Sequence, residues 1–512
     1  MSAQKLAIIS GNGLNIFNVQ DKNCQTYLND NTSIYESLFD PTGQYFCYCS
    51  NNGSYLVDLK TDEKKVLNSS SRCRKLCFSP KGTYISVFSL QNGTTSDDNV
   101  FIYDSKSCTQ KHSYKYSNSG TWAPQWSIDE KMCLKVLKSE VLLFSDQSFD
   151  KFNGKITIKG LEKAAITMCN NEYLIATYVK GTQGMPNMVK IFKYPNLREP
   201  INNRSFFKAT DVYLKWSPNG KSLLFLVHVE DTKLNYYGEN ALYFMAAELG
   251  GETAMVPMPK DDNYVHNVEW QPVSGDRFVV TYGNPVAAAV FNTKCQLVCH
   301  IDAPNRNICQ FSNCGKLLAM VGVGNVRGSL QVWNFQANKL IGEMDIPDVN
   351  RICWSGNDRY LVSATVSPSL RVNNGVTIWD VEGEIVADKS VSNNLIGNPA
   401  EIYNVLWQPA SVANDNHDSC KPKASYYFNA QYQKFKERQI VKVNAAYVPP
   451  HLRNRGDAAP NGLQSQRPTG PSIKFTSDSN KPSQSANKPK RKNKNKAAAA
   501  TVSNTNNKAA AP

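Results

Sequence analysis

The run NKPKRKNKNK (487–496) puts six cations into ten residues. Only Asn and Pro separate Lys488, Lys490, Arg491, Lys492, Lys494 and Lys496. The chemistry open to them is neutralisation of a polyanion, not proton transfer or nucleophilic attack. Arg453 and Arg455 add positive charge upstream, in YVPPHLRNR (447–455). Three further segments set cations in loops or beside aromatics. NRSFFK (203–208) brackets Phe206 and Phe207 with Arg204 and Lys208, GNVRG (324–328) carries Arg327, and SLRVNNG (369–375) carries Arg371. A guanidinium in such a place holds a phosphate or stacks on a base. The commoner fate of a loop arginine is to bond backbone carbonyls or to stay solvated. Tyr236 and Tyr237, in NYYGENALYF (235–244), read as core residues before they read as a stacking platform.

Catalytic patterns are sparse. The chain has no phosphate-binding Gly-x4-Gly-Lys loop, no His-Glu-x-x-His and no Gly-x-Ser-x-Gly. The glycines at 322, 324 and 328 resemble a dinucleotide fingerprint, but the third is one place late and a strand pattern follows where a helix is required. A tight turn between strands is the simpler reading. Cys295, Cys299, His300, Cys309 and Cys314 form the densest thiol cluster. Their Cys-x3-Cys and Cys-x4-Cys spacings lack the zinc knuckle's Cys-x2-Cys, so they read as small core residues. No metal or cofactor is expected. Leu6 to Ile9 is too short for a signal peptide's apolar core, and no run approaches the ~18 apolar residues that span a bilayer. The expectation is a cytosolic chain whose fourteen cysteines stay reduced.

The elements that position these residues show in a repeat. An aromatic or apolar residue followed by a polar turn and an apolar run begins at Phe39, Phe78, Trp126, Met168, Trp216, Trp270, Phe311, Trp354 and Trp407, at spacings of 39 to 54 residues. The Met168 copy is the weakest. A second marker, an alternating strand ending in a polar residue, recurs nine times, from LNIFN (14–18) to VTIWD (376–380). A period just above forty with strand–turn–strand copies predicts an all-β, single closed β-propeller of WD40 type with nine blades. The first copy lacks its leading half and the last its trailing half, so the N-terminal strand is expected to close the last blade. Eight blades, two smaller propellers or an open solenoid remain as alternatives.

Composition changes near Val441. Beyond it, thirteen Lys and Arg against two Asp give +11 of the whole chain's +14. Rich in Pro, Asn, Ser, Gln, Lys and Ala, this segment cannot bury enough apolar area to offset its conformational entropy. The expected organisation is a propeller over 1–430, an extended linker over 431–456 holding YVPPHLRN, and a disordered basic low-complexity tail over 457–512. Six tail cations, each on one phosphate, give a log–log salt slope of about −4 at ~0.7 per contact.

NRSFFKATDVYLKW (203–216), NYYGENALYF (235–244), GNVRGSLQVW (324–333), SPSLRVNNGVTIWD (367–380) and NAAYVPPHLRN (444–454) together resemble the eukaryotic translation initiation factor 2A family. The resemblance runs from about residue 1 to 455. It implies a nine-bladed propeller, a cytoplasmic location and no enzymatic activity. It also implies delivery of initiator methionyl-tRNA to the small (40S) ribosomal subunit, codon-dependent and GTP-independent, on a subset of mRNAs. Other initiation factors are further expected partners, and no membrane is. Family members continue past PPxLRN into a longer basic region and a leucine-rich helical end, whereas here the basic run leads only to Ala, Asn and Pro512. The large propeller component of initiation factor 3 places an RNA-recognition domain ahead of its propeller, and this chain starts its first strand by about Lys5. The alternative function is a WD-repeat scaffold for proteins, with a basic tail and no direct RNA role. An enzyme using the central channel is a third.

Overall fold

Each marker aromatic ends a strand, and except after Trp407 the polar turn that follows reverses the chain into the next. Phe39 ends Ile34–Phe39, Phe78 ends Cys73–Phe78, Trp216 ends Asp211–Trp216, Trp270 ends Val265–Trp270 and Trp354 ends Arg351–Trp354. The second marker is the third strand of the same meander, as in Val100–Asp104 and Gly375–Asp380. The computed structural model describes residues 3–20, 23–91, 97–116, 122–145, 149, 151–182, 184–229, 239–259, 264–324, 326, 328–344, 346, 348–380, 385–387, 396–397 and 401–410. They form nine four-stranded antiparallel sheets, the blades of one propeller. The boundaries expected at 430 and 456 lie outside the described residues.

Blade 1 is shared between the chain ends. Ile402–Trp407 supplies its first strand, and Gln4–Ser10, Gly13–Gln20 and Asn23–Asp30 supply the other three. Leu6 lies opposite Trp407 and Ile8 opposite Val405 across the seam, and Gln408 N–H donates to Lys5 O at 2.8 Å. The N-terminal segment thus brings three strands to the closure, not one. Blades 2 to 9 follow in chain order, starting at Ile34, Cys73, Gln125, Leu161, Asp211, Val265, Ile308 and Arg351.

First strands pack on first strands of the next blade, as Ile402–Trp407 does on Arg351–Trp354 and on Ile34–Phe39, so they form the hub. The marker tryptophans bind neighbouring blades. Trp216 Nε1 donates to Ala165 O at 3.2 Å, Trp270 Nε1 to Lys215 O at 3.1 Å and Trp354 Nε1 to Gln310 O at 3.2 Å. The core is not central. It consists of nine apolar clusters, and each lies between two adjacent blades, such as Leu6, Ile8, Tyr360 and Val362 between blades 1 and 9. Burial against neighbours alone is the energetic logic of a repeat protein.

The marker turn is built from its own residues. The buried hydroxyls of Ser79, Ser127, Ser217, Ser312 and Ser355 each accept the backbone N–H five residues on, at 2.8–3.2 Å. The turn then needs one residue at positive φ, and Gly43, Gly82, Gly220, Gly275 and Gly315 fill that place at φ +62° to +75°. In blades 4 and 9, Glu130 (φ 62°) and Asp358 (φ 55°) stand there instead. Their carboxylates accept N–H groups from the preceding blade, Lys81 N at 2.6 Å for Glu130 and Asn313 N at 2.7 Å for Asp358. Blade 5 turns on Asn170 (φ 50°) and Asn171 (φ 63°) alone, which explains the weak marker at Met168.

Because every blade is a meander, its marker turn and its third-to-fourth turn fall on one face of the ring. The second-to-third loop and the connector to the next blade fall on the other, called here the loop face.

Candidate nucleic-acid interface

The cations singled out in the sequence that are described lie in two separate places. Arg204 is on Asn202–Phe206, the outermost strand of blade 5. It is exposed, with its guanidinium 5.7 Å from the centre of the Tyr243 ring on blade 6. Phe206 beside it is buried against Tyr178, Phe225 and Tyr243, whereas Phe207 is 72% exposed. Lys208 follows on the connector at φ 56°, exposed on the loop face. Arg371 is four blades away, on the loop between Tyr360–Thr365 and Gly375–Asp380 of blade 9. Its Nε is 3.6 Å from Glu401 Oε1. Arg204 and Lys208 thus share blade 5, and neither converges with Arg371.

Arg327 lies outside the described residues, as do Arg453, Arg455, Lys488, Lys490, Arg491, Lys492, Lys494 and Lys496, and Tyr236 and Tyr237 with them. The strands flanking Arg327, Leu317–Gly322 and Gly328–Asn334, are the second and third of blade 8 and pair Gly322 with Gly328. A Cβ on either glycine would overlap the Asn305 carbonyl oxygen. These glycines serve a close backbone approach, not a dinucleotide.

The loop face holds a feature the sequence did not reveal. Five first strands carry a one-residue bulge at their entry. The ladder passes from Ile402 to Asn404, from Ile34 to Glu36, from Cys73 to Lys75, from Leu161 to Lys163 and from Val265 to Asn267. The residues left out are Tyr403, Tyr35, Arg74, Glu162 and His266. A bulge re-aims a side chain out of the pleat, and the first three belong to successive blades 1, 2 and 3. Tyr403 is 45% and Tyr35 44% exposed. The Arg74 guanidinium lies 3.8 Å from the Tyr35 ring centre, and its Nη1 donates to Ser71 O and Cys73 O, each at 2.8 Å. The Tyr403 hydroxyl bonds Glu401. Burial and that carboxylate push the phenol above its ordinary range. Of the five exposed aromatics among the described residues, Tyr35, Phe207, Tyr213 and Tyr403 lie on or near the loop face, and Phe152 does not.

One sequence signal would have found the bulges: Tyr35, Arg74, His266 and Tyr403 each stand four places ahead of their blade's marker aromatic. The hub itself carries paired charges, Lys163 with Asp211 at 2.5 Å and Lys215 with Glu269 at 2.8 Å. Both lysines also donate to backbone carbonyls of the next blade, so they act as struts. The cysteine cluster is spread over blades 7 and 8. Cys295 and Cys309 are buried, and burial raises both thiols. Cys309 Sγ is 3.1 Å from Asn267 Oδ1, and the Cys314 thiol is 3.3 Å from Ser312 Oγ. Among the described residues no group of three His, Cys, Asp or Glu side chains is arranged to hold a metal ion. No helix among them is long and apolar enough to cross a membrane.

Residues 204–397 match the family model of eukaryotic translation initiation factor eIF2A. Across 473 residues the chain is 26% identical to the Caenorhabditis elegans eukaryotic translation initiation factor 2A, covering 85% of this chain and 80% of that protein. Across 436 residues it is 28% identical to the Drosophila melanogaster factor, covering 81% of this chain and 66% of that one. The chain is similar to eukaryotic translation initiation factor 2A proteins over most of its length. A crystal structure described as the eukaryotic initiation factor superposes with a TM-score of 0.70 at 22% identity, over 80% of this chain and all of that one, and shares the fold. These relatives are named as translation initiation factors. Arg204, Lys208, Arg327 and Arg371 all fall inside the segment that the initiation factor 2A model matches.

Proposed function

We propose that this chain binds the small ribosomal subunit in the cytoplasm and promotes delivery of initiator methionyl-tRNA, codon-dependent and GTP-independent, on a subset of mRNAs. The observation that carries this reading is the similarity to initiation factor 2A proteins over more than four fifths of the chain. The propeller supplies rigid geometry and the tail supplies affinity. Arg204, Lys208, Arg327 and Arg371 are the proposed contacts on the propeller. Arg453, Arg455 and the six cations of 487–496 are the proposed phosphate contacts beyond it, with the propeller ending by 430 and the linker running over 431–456. The charge balance supports this division, since the segment from 441 onward holds +11 of the net +14.

Cosedimentation of the full chain with purified 40S particles at low salt tests the reading, and the protein is expected in the 40S fraction. Absence from it favours the protein-only scaffold. Removal of residues 441–512, which carry all eight proposed contacts beyond the propeller, is expected to flatten the salt dependence of RNA binding by about 5 to 6 in log–log slope at ~0.7 per contact. An unchanged slope takes the polyanion role away from the tail.

A further inference from the structure

We propose that the bulged hub strands of blades 1, 2 and 3 form a stacking site for the unpaired bases of single-stranded RNA, with Tyr403 and Tyr35 as the platforms and Arg371 as the phosphate contact. The inference rests on the RNA-binding reading above and assigns it a place on the propeller.

Three independent features converge there. The first is the bulge. Elsewhere in these strands the pleat commits alternate side chains to the clusters between blades, as with Phe39, Leu76 and Val405. The extra residue is released from that duty, and in three blades in a row it is aromatic or guanidinium. In blades 5 and 7 the same place holds Glu162 and His266, so the composition is local to the seam.

The second is preorganisation. Arg74 is fixed by two carbonyls and covers one face of Tyr35. A ring backed by a cation on one face keeps the other for a base, and little side-chain freedom remains to be lost on binding. Tyr403 is fixed at its hydroxyl end by Glu401. The Glu401 backbone is tied to blade 1 by Gly11 N–H at 2.9 Å, and the Tyr403 oxygen lies 3.8 Å from where a Gly11 Cβ would sit. The ring is therefore held at the rim with 45% of the residue exposed.

The third is charge. Arg371 extends 72% exposed from the neighbouring loop, and its ion pair to Glu401 is long at 3.6 Å. A phosphate would replace or share that contact. Aromatic platforms read unpaired bases because a duplex hides the faces of its bases, whereas cations alone read backbone. The exposed aromatics here assign the site to single strands.

The test uses the full chain and two probes, a labelled unstructured oligouridine and a blunt RNA duplex, at a salt concentration that screens the tail. Tyr35→Ala and Tyr403→Ala are each expected to weaken oligouridine binding roughly ten-fold, the scale of one lost base stack. Duplex binding should be unchanged. Tyr35→Phe keeps the ring and its Arg74 backing and should bind like the parent, whereas Tyr403→Phe keeps the ring but gives up its hydroxyl anchor and should fall between the parent and Tyr403→Ala, which separates stacking from damage to the hub. Arg371→Gln should reduce the oligouridine salt slope by about 0.7, one phosphate contact. Equal losses on both probes, unaltered oligouridine affinity, or failure of Tyr35→Phe to restore it would overturn the site. If those results came with normal cosedimentation with 40S particles, the initiation-factor reading would stand without this site. If the parent chain bound neither 40S particles nor RNA, that reading would fall first.

Discussion

Asp30 shows how a single side chain ties two blades together. It ends the outermost strand of blade 1 and accepts from Tyr48 Oη at 2.6 Å, Thr32 N at 3.0 Å, Thr32 Oγ1 at 2.8 Å and Lys64 Nζ at 3.2 Å. Burial by itself would raise its carboxyl, but the hydrogen bonds from Tyr48, Thr32 and Lys64 outweigh it and hold the group at about 2. A carboxylate depressed on folding adds stability above its unfolded pKa and loses it as pH falls through the folded one. Asp30→Asn is therefore expected to lower stability at neutral pH. The gap from the parent should close as pH drops from about 4 to about 2. Urea titrations across that range would show it, and a gap independent of pH would mean the carboxylate's charge is not what joins the blades.

At the scale of the element, the repeating unit is a turn plus a tryptophan latch, and the seam breaks the pattern. Trp216, Trp270 and Trp354 donate Nε1 to the preceding blade. Trp407 is also buried and stacks on Tyr360 at 5.8 Å, but its Nε1 finds no acceptor among the described residues. A buried donor without a partner costs about 1–3 kcal/mol, whereas a satisfied one contributes about 1 kcal/mol. Trp407→Phe should consequently be the milder substitution and Trp354→Phe the more destabilising. Their thermal midpoints would decide it, and the reverse order would mean that Trp407 finds a partner at the seam. Gly43 belongs to the same seam, because a Cβ at its φ of 71° would overlap the Pro409 carbonyl oxygen.

For the whole molecule, closure is the controlling event. The hub strand of blade 1 comes from the far end of the described chain, so Leu6 meets Trp407 only when the ring is complete. A chain ended after residue 401 would leave Gln4–Ser10 without its inner partner and expose a strand edge to other molecules. Such a chain is expected to lose its single cooperative melt and to self-associate in size-exclusion chromatography. A monomer with an unaltered melt would show that the blades are stable without closure. Ending the chain at 430 keeps the hub strand and the whole proposed propeller and should leave melting unchanged.

The repeat period, the marker turns and the third strands were legible because the blades follow local rules: alternation, a capping serine in five of them, and positive φ in the marker turn. Nine markers therefore implied nine blades, and the charge step near Val441 marked a change in composition. The candidate site was less legible. Arg204, Lys208 and Arg371 stood out as residue types, but which blades they occupy depends on the ring, which places Arg371 beside Glu401 and four blades from Arg204. Tyr403 is 329 positions from Arg74 and 368 from Tyr35, and the exposure of the two tyrosines comes from bulges that a period-two pattern conceals. Local sequence determined the blade. Only the closed tertiary structure, by bringing the two ends of the propeller into one sheet, decided which side chains share a surface.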